Sequence, residues 1–108
     1  MRKFILGILL SIALLGSVRT HAQYNREYFF WVGRSCMMNN NYQEAIRTLN
    51  TLLRFDDKAF EGYFLRGIAK YNLDDLLGAD TDFSAAIVKN PVFTTAYIYR
   101  ALTRTRMG

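Results

Sequence analysis

The chain is poor in the residues that carry most site chemistry. Its 108 residues include one His, one Cys and one Pro. One Cys excludes an intramolecular disulfide and any zinc site built from several thiolates. The one His is His21, inside a segment laid out like a secretory leader. Once that segment is removed, no imidazole base and no His metal ligand remain. No catalytic residue, metal or cofactor is therefore expected in the rest. Long apolar runs are also scarce. The longest spans residues 4–18, shorter than the roughly 20 residues a helix needs to cross a bilayer.

That run belongs to the leader. Arg2-Lys3 is a short basic start, Phe4 to Val18 is the apolar stretch, and Thr20-His21-Ala22 puts small residues one and three places before Gln23. The layout predicts a signal peptide over residues 1–22 and a mature start at Gln23. The protein is then exported, to the periplasm or beyond the cell, with no membrane insertion after cleavage. The alternative is an anchor formed by uncleaved residues 4–18. No Cys adjoins the cut, which argues against a lipid-modified lipoprotein.

Removing the leader changes the charge. Arg2, Lys3 and Arg19 leave with no acidic residue, so 11 basic residues face 9 acidic ones and the net charge falls from +5 to +2. Arg100, Arg104 and Arg106 cluster at the end, so the body is near neutral. No basic stripe interleaved with stacking aromatics runs along one face, and no nucleic-acid partner is expected.

What the chain does have is a period. Gly33 and Gly67 are 34 residues apart. At the same shift Phe29 meets Tyr63 and Tyr97, Phe30 meets Phe64, and Cys36 meets Lys70. Asn40 meets Asp74 and Gly108, Ala45 meets Ala79, Leu49 meets Phe83, Leu52 meets Ala86, and Asp57 meets Pro91. Arg66 meets Arg100, and Gly67 meets Ala101. A fixed period of this size marks a solenoid of stacked helix pairs. Gly and Ala at fixed slots let two helix backbones approach, and aromatics fill the space between turns. One pair cannot bury its apolar face alone, so pairs must stack.

The pattern resembles the tetratricopeptide family. The second repeat carries it best, in Tyr63, Gly67, Tyr71, Ala79, Phe83, Ala86 and Pro91. The first keeps Phe29, Gly33, Tyr42 and Ala45, with Leu49 for the aromatic and Asp57 for the Pro. The resemblance implies an all-α solenoid of antiparallel helix pairs. It comprises about two and a half repeats over 23–108, at about 26–59, 60–93 and a partial 94–108. An ordinary five-helix bundle is the alternative.

Local signals place the helices. Asn25 is the expected cap of a first helix running to about Met38, and Asn39-Asn40-Asn41 breaks it. Asn41 with Glu44 reads as a capping box for a second helix to about Arg54. Asp56-Asp57 is the expected turn and cap for a third, from about Lys58 to Asn72. Asp74 or Asp75 caps a fourth that ends before Asn90-Pro91. A fifth runs from about Phe93 to Met107. Gly108 falls in the slot of the break between paired helices. A piece of a longer array is expected, with a naturally short product as the alternative. The face of the fifth helix, left uncapped, also invites self-association.

The chemical leads have structural readings. Cys36 is expected to be a buried small filler rather than a reactive thiol. Asp56-Asp57 and Asp74-Asp75 sit at turns, where acidic residues cap helices. Arg66 is expected to pair with Asp80 or Asp82 across to the fourth helix.

The resemblance also implies a concave groove lined by the first helix of each pair. Its slots fall on Glu27, Phe30, Arg34, Met37 and Met38, then Glu61, Phe64, Ile68, Tyr71 and Asn72, then Thr95, Ile98, Leu102, Thr105 and Arg106. Phe30, Phe64 and Ile98 form an apolar ladder flanked by Met37, Tyr71 and Leu102. Phe30, Phe64 and Tyr71 are the expected anchors for a peptide or partner protein, with Arg34 and Arg106 selecting an acidic flank. The alternative is that the ladder only packs repeat against repeat. Family members that clamp a peptide's terminal carboxylate carry Lys and Asn here. Phe30, Arg34, Phe64 and Ile68 depart from that. The expected function is a non-enzymatic protein-interaction scaffold of the cell envelope. The alternative is the N-terminal array of a larger envelope enzyme or assembly factor, active beyond residue 108.

Overall fold

The computed structural model describes residues 25–108. The leader expected over 1–22 lies outside them. All the described secondary structure is helical. Helix α1 occupies residues 25–38, followed by α2 (Tyr42–Phe55), α3 (Phe60–Asn72), α4 (Leu76–Lys89) and α5 (Thr94–Met107). They form two complete pairs, α1/α2 and α3/α4, with α5 beginning a third.

Glycine sets the close approach within each pair. A Cβ on Gly33 would lie 2.9 Å from Leu49 Cδ2, and one on Gly67 would lie 2.7 Å from Phe83 Cε1. Gly33 and Gly67 therefore occupy equivalent crossings, each against the residue sixteen positions later. This equivalence distinguishes a solenoid from a five-helix bundle. The core follows the same period. Ala45, Leu49 and Leu52 of α2 and Ala79, Phe83 and Ala86 of α4 are buried, joined by Ala69 of α3 and Ala96 of α5. Burying one such Leu stabilises the fold by about 2 kcal/mol.

The first helix of each pair ends the same way. Asn40 has φ 59°, Asp74 has φ 63° and Gly108 has φ 96°. These three residues share one repeat slot. Asn, Asp and Gly are the types that accept the left-handed conformation a helix end requires.

The caps differ from expectation in three places. Asn25 is already helical and is not a cap. Asn41 occupies the cap position of α2, but its side chain makes no capping bond, so the Asn41/Glu44 box is not formed. Glu44 instead pairs with Arg47 at 3.1 Å. The Asp56-Asp57 turn does not cap α3, which starts after Ala59. Asp56 ends α2 and accepts the Lys58 N–H at 3.1 Å, a side-chain turn that uses its oxygen before α3 begins. Of the two later candidates, Asp75 caps α4, accepting the Gly78 N–H at 3.0 Å. Such a cap contributes about 1 kcal/mol.

Arg66 chooses Asp82 over Asp80. Its Nε and Nη2 donate to Oδ2 and Oδ1, both at 2.8 Å, and Lys70 Nζ joins at 3.0 Å. Asp82 is 2% exposed, so the carboxylate that locks α4 onto α3 is inside the protein. Hydrogen bonding to Asp82 raises Arg66 above the usual guanidinium range, against the opposing effect of burial. Asp80 pairs instead with Arg104, Nε to Oδ1 at 2.7 Å. Among the described residues every buried side-chain nitrogen and oxygen has a hydrogen-bond partner. Cys36 is a free thiol and only half-buried, not the buried filler expected.

Candidate functional site

Stacking the pairs gathers aromatics between repeats. Phe64 on α3 lies 4.9 Å from Phe93, 5.4 Å from Tyr99 and 5.8 Å from Phe83, ring centre to ring centre. Phe60 meets Phe93 at 5.1 Å. Phe93, Ala86, Ile87 and Ala96 pack with Tyr63 and Phe64 into one cluster. The middle rung of the expected ladder takes part in packing between helices, because Phe93, at the cap of α5, and Tyr99 on α5 close over it.

A cleft of about 360 Å³ lies between residues 26–31 of α1 and the start of α3, beside the α2–α3 turn. Phe30, Trp31, Leu52, Ala59 and Phe60 give it apolar walls. Arg26, Glu27, Asp56, Lys58 and Glu61 add charges of both signs. Arg26 Nη1 reaches Asp56 Oδ2 at 3.4 Å, which ties α1 to the α2–α3 turn. Trp31 is 69% exposed, a large apolar side chain with little cover. The arrangement offers burial to an apolar side chain and paired polar contacts around it, the usual character of a recognition pocket.

Three of the groove slots, Glu27, Phe30 and Glu61, line this cleft. Of the other expected site residues, Arg34 is exposed with its guanidinium 5.9 Å from the Phe30 ring centre. Met37, Ile68 and Tyr71 are half-buried, while Ile98 and Leu102 are exposed. Arg106 is engaged within the chain. Its guanidinium lies 4.7 Å from the Tyr71 ring centre and bonds Asp74 Oδ1 at 2.6 Å. That bond raises Arg106 above its usual range.

Trp31, Phe60, Arg26 and Lys58 were missing from the expected set. Their one sequence signal is that Trp31 is the only Trp in the chain, placed one position after a groove slot. Among the described residues no cluster of three or more His, Cys, Asp or Glu side chains could hold a metal. None of the described helices is long and apolar enough to cross a membrane.

No family model and no curated protein matches the chain. Solved structures do match. The TPR2B domain of yeast Sti1, in a complex with pHsp70, superposes with a TM-score of 0.75 at 23% identity, over 77% of this chain and 66% of that one. MamA superposes with a TM-score of 0.77 at 26% identity, over 86% and 54%. The TPR2AB domain of yeast Sti1, in a complex with pHSP90, gives 0.75 at 21% identity, over 93% and 41%. The chain has the fold of the tetratricopeptide-repeat family. It spans no more than 66% of the length of any of these three structures. Tetratricopeptide solenoids, like other stacked repeats, present extended surfaces for binding. That architecture suits a protein-interaction scaffold.

Proposed function

We propose that the chain is a non-enzymatic module that binds a segment of a partner protein at the cleft between α1 and α3. One observation carries the reading. The cleft is lined by Phe30, Trp31 and Phe60, with Arg26, Lys58, Glu27 and Glu61 around it. Aromatic anchors of this kind dominate protein recognition, and charges at the rim set register more than affinity. Phe60 also packs edge-on against Phe93, which braces one wall of the cleft. Preorganisation lowers the cost of binding. Two of the structural matches are complexes with pHsp70 and pHSP90, which supports a protein or peptide ligand.

The layout of residues 1–22 supports export, with the module working in the periplasm or outside the cell. The mass of the native protein tests that part: a chain starting at Gln23 is expected, and one retaining Met1 to Ala22 would support the anchored form. For the cleft, peptides selected by display on the whole chain serve as probes. Trp31 is the only Trp, so its emission reports occupancy of the site directly. A selected peptide is expected to shift that emission to the blue. Phe30→Ala should weaken its binding by roughly 2 kcal/mol, the usual anchor threshold. Tight binding that leaves Trp31 emission unchanged and ignores Phe30→Ala would overturn the assignment.

A further inference from the structure

The turn before α3 and the turn before α5 share one backbone and carry different side chains. Asp56 ends α2 at φ −143° and ψ 91°, and Asn90 ends α4 at φ −142° and ψ 88°. Ala59 precedes α3 at φ −74° and ψ 90°, and Phe93 precedes α5 at φ −79° and ψ 85°. The turn bonds match as well. Ala59 donates its N–H to the Asp56 carbonyl at 3.4 Å, and Phe93 donates to the Asn90 carbonyl at 3.1 Å. The Cβ of residue 59 therefore leaves its turn as the Cβ of Phe93 leaves the next one.

Phe93 uses that direction to reach α3. Its ring stands edge-on to Phe60 at 5.1 Å and to Phe64 at 4.9 Å, two positions one turn apart on the helix. One repeat earlier those positions hold Arg26 and Phe30, and Phe93 is replaced by Ala59. All three line the cleft between α1 and α3. The cleft is thus the Phe93 site with its ring missing. The space fits one. The cleft measures about 360 Å³, and an apolar cavity of roughly 150 Å³ already holds a benzene ring.

We propose, resting on the cleft as the binding site, that it selects an aromatic side chain, Phe or Tyr, from the partner segment. The incoming ring takes the place on α1 that Phe93 takes on α3, edge-on to Phe30 and beside the Arg26 guanidinium. Aromatic pairs in that geometry gain more than their buried area supplies. Arg26 adds a cation against the ring, an attraction that an aliphatic side chain lacks. Asp56 holds Arg26 at 3.4 Å and keeps the guanidinium at the wall. Trp31, where the next repeat has Leu65, extends the aromatic surface outward and is left 69% exposed. That uncovered rim favours a ring brought by another molecule over one supplied by the chain itself.

The test has two parts. The first supplies the ring from within. Ala59→Phe in the whole chain is expected to raise the melting temperature, as filling a cavity does. It should also abolish binding of the display-selected peptides. A lower melting temperature would show that the slot refuses a ring, and the choice of an aromatic would fall. The second part varies the ligand. Selected peptides that shift Trp31 emission are expected to share one Phe or Tyr, and replacing it by Leu should weaken binding about tenfold. Peptides that are weakened by Phe30→Ala yet tolerate that Leu would overturn the aromatic preference and leave the binding site standing. Peptides that bind without touching the cleft would overturn both. Two results would remove the partner as the source of the ring. One is a dimer of the unliganded chain that Ala59→Phe dissociates, which assigns the slot to a second copy. The other is tighter peptide binding in Tyr24→Ala, which assigns it to the chain's own ring.

Discussion

Arg66 holds both oxygens of Asp82 at 2.8 Å, and this bidentate pair is the polar lock between α3 and α4. The Asp82 side chain is 3% exposed and that of Arg66 19%, so water screens the pair little. Parallel bonds from a guanidinium fork add geometric specificity to charge. They fix the rotation of α4 about its own axis, which in turn places Phe83 over Gly67.

Asp82→Ala should destabilise the chain by about 3 kcal/mol, because it strands Arg66 and Lys70 without their shared carboxylate. The same chemistry predicts partial recovery when Arg66 is also replaced by Met. Urea denaturation of the two variants measures both values. Equal losses in the single and double variants would show that the pair contributes only through packing.

Gly67→Ala should cost about 1–2 kcal/mol. The new Cβ would meet Phe83 ring carbons at 2.7–3.2 Å, and overpacking of this kind costs roughly 1–3 kcal/mol. Better helix propensity returns up to about 1 kcal/mol. Combining Gly67→Ala with Phe83→Leu should cost less than the sum of the two single changes, since the smaller residue makes room. Thermal melts of the cycle decide it. Strict additivity would mean that the ring already moves freely.

The period makes these crossings legible in the sequence. Gly33/Leu49 and Gly67/Phe83 recur at one spacing, and the slot of Asn40, Asp74 and Gly108 marks every first-helix end. The caps were harder to read. Asp56 is an attractive cap by residue type, yet its oxygen is used by Lys58 within the turn, and α3 starts at Phe60, two residues after the expected Lys58. The cleft was not legible either. Repeat slots say which residues share a helix face, not which turn lies opposite. Arg26 and Asp56 meet across 30 positions that are no multiple of the repeat.

Asn40→Ala should cost about 1–2 kcal/mol. Asn40 sits at φ 59°, a conformation that penalises an ordinary Cβ by roughly that amount. Asn40→Gly should be close to neutral, offset only by losing the 2.9 Å bond from the Tyr42 hydroxyl. Chemical denaturation of the pair of variants checks the order. If Gly and Ala cost the same, the side-chain bond matters and the backbone does not.

Phe30 and Phe64 share a repeat slot but should respond differently to truncation. Phe30 lines the open cleft. Phe64 is enclosed by Phe83, Phe93 and Tyr99, at ring distances of 4.9–5.8 Å. Phe64→Ala should therefore cost about 3 kcal/mol of stability, near the lower end for a large core ring because Phe64 is only half-buried. In so short an array that loss should lower helicity at physiological temperature. Phe30→Ala should leave circular dichroism and the melting temperature nearly unchanged while reducing binding of a cleft-directed peptide. The difference has a structural origin: the rings of Phe93 and Tyr99 close over Phe64, whereas the same slots one repeat earlier hold Ala59 and Leu65, and Phe30 faces the cleft beside the α2–α3 turn. A stable, fully helical Phe64→Ala variant that no longer binds the peptide would return Phe64 to the recognition surface. Loss of helicity in Phe30→Ala would instead make the cleft part of the structural core.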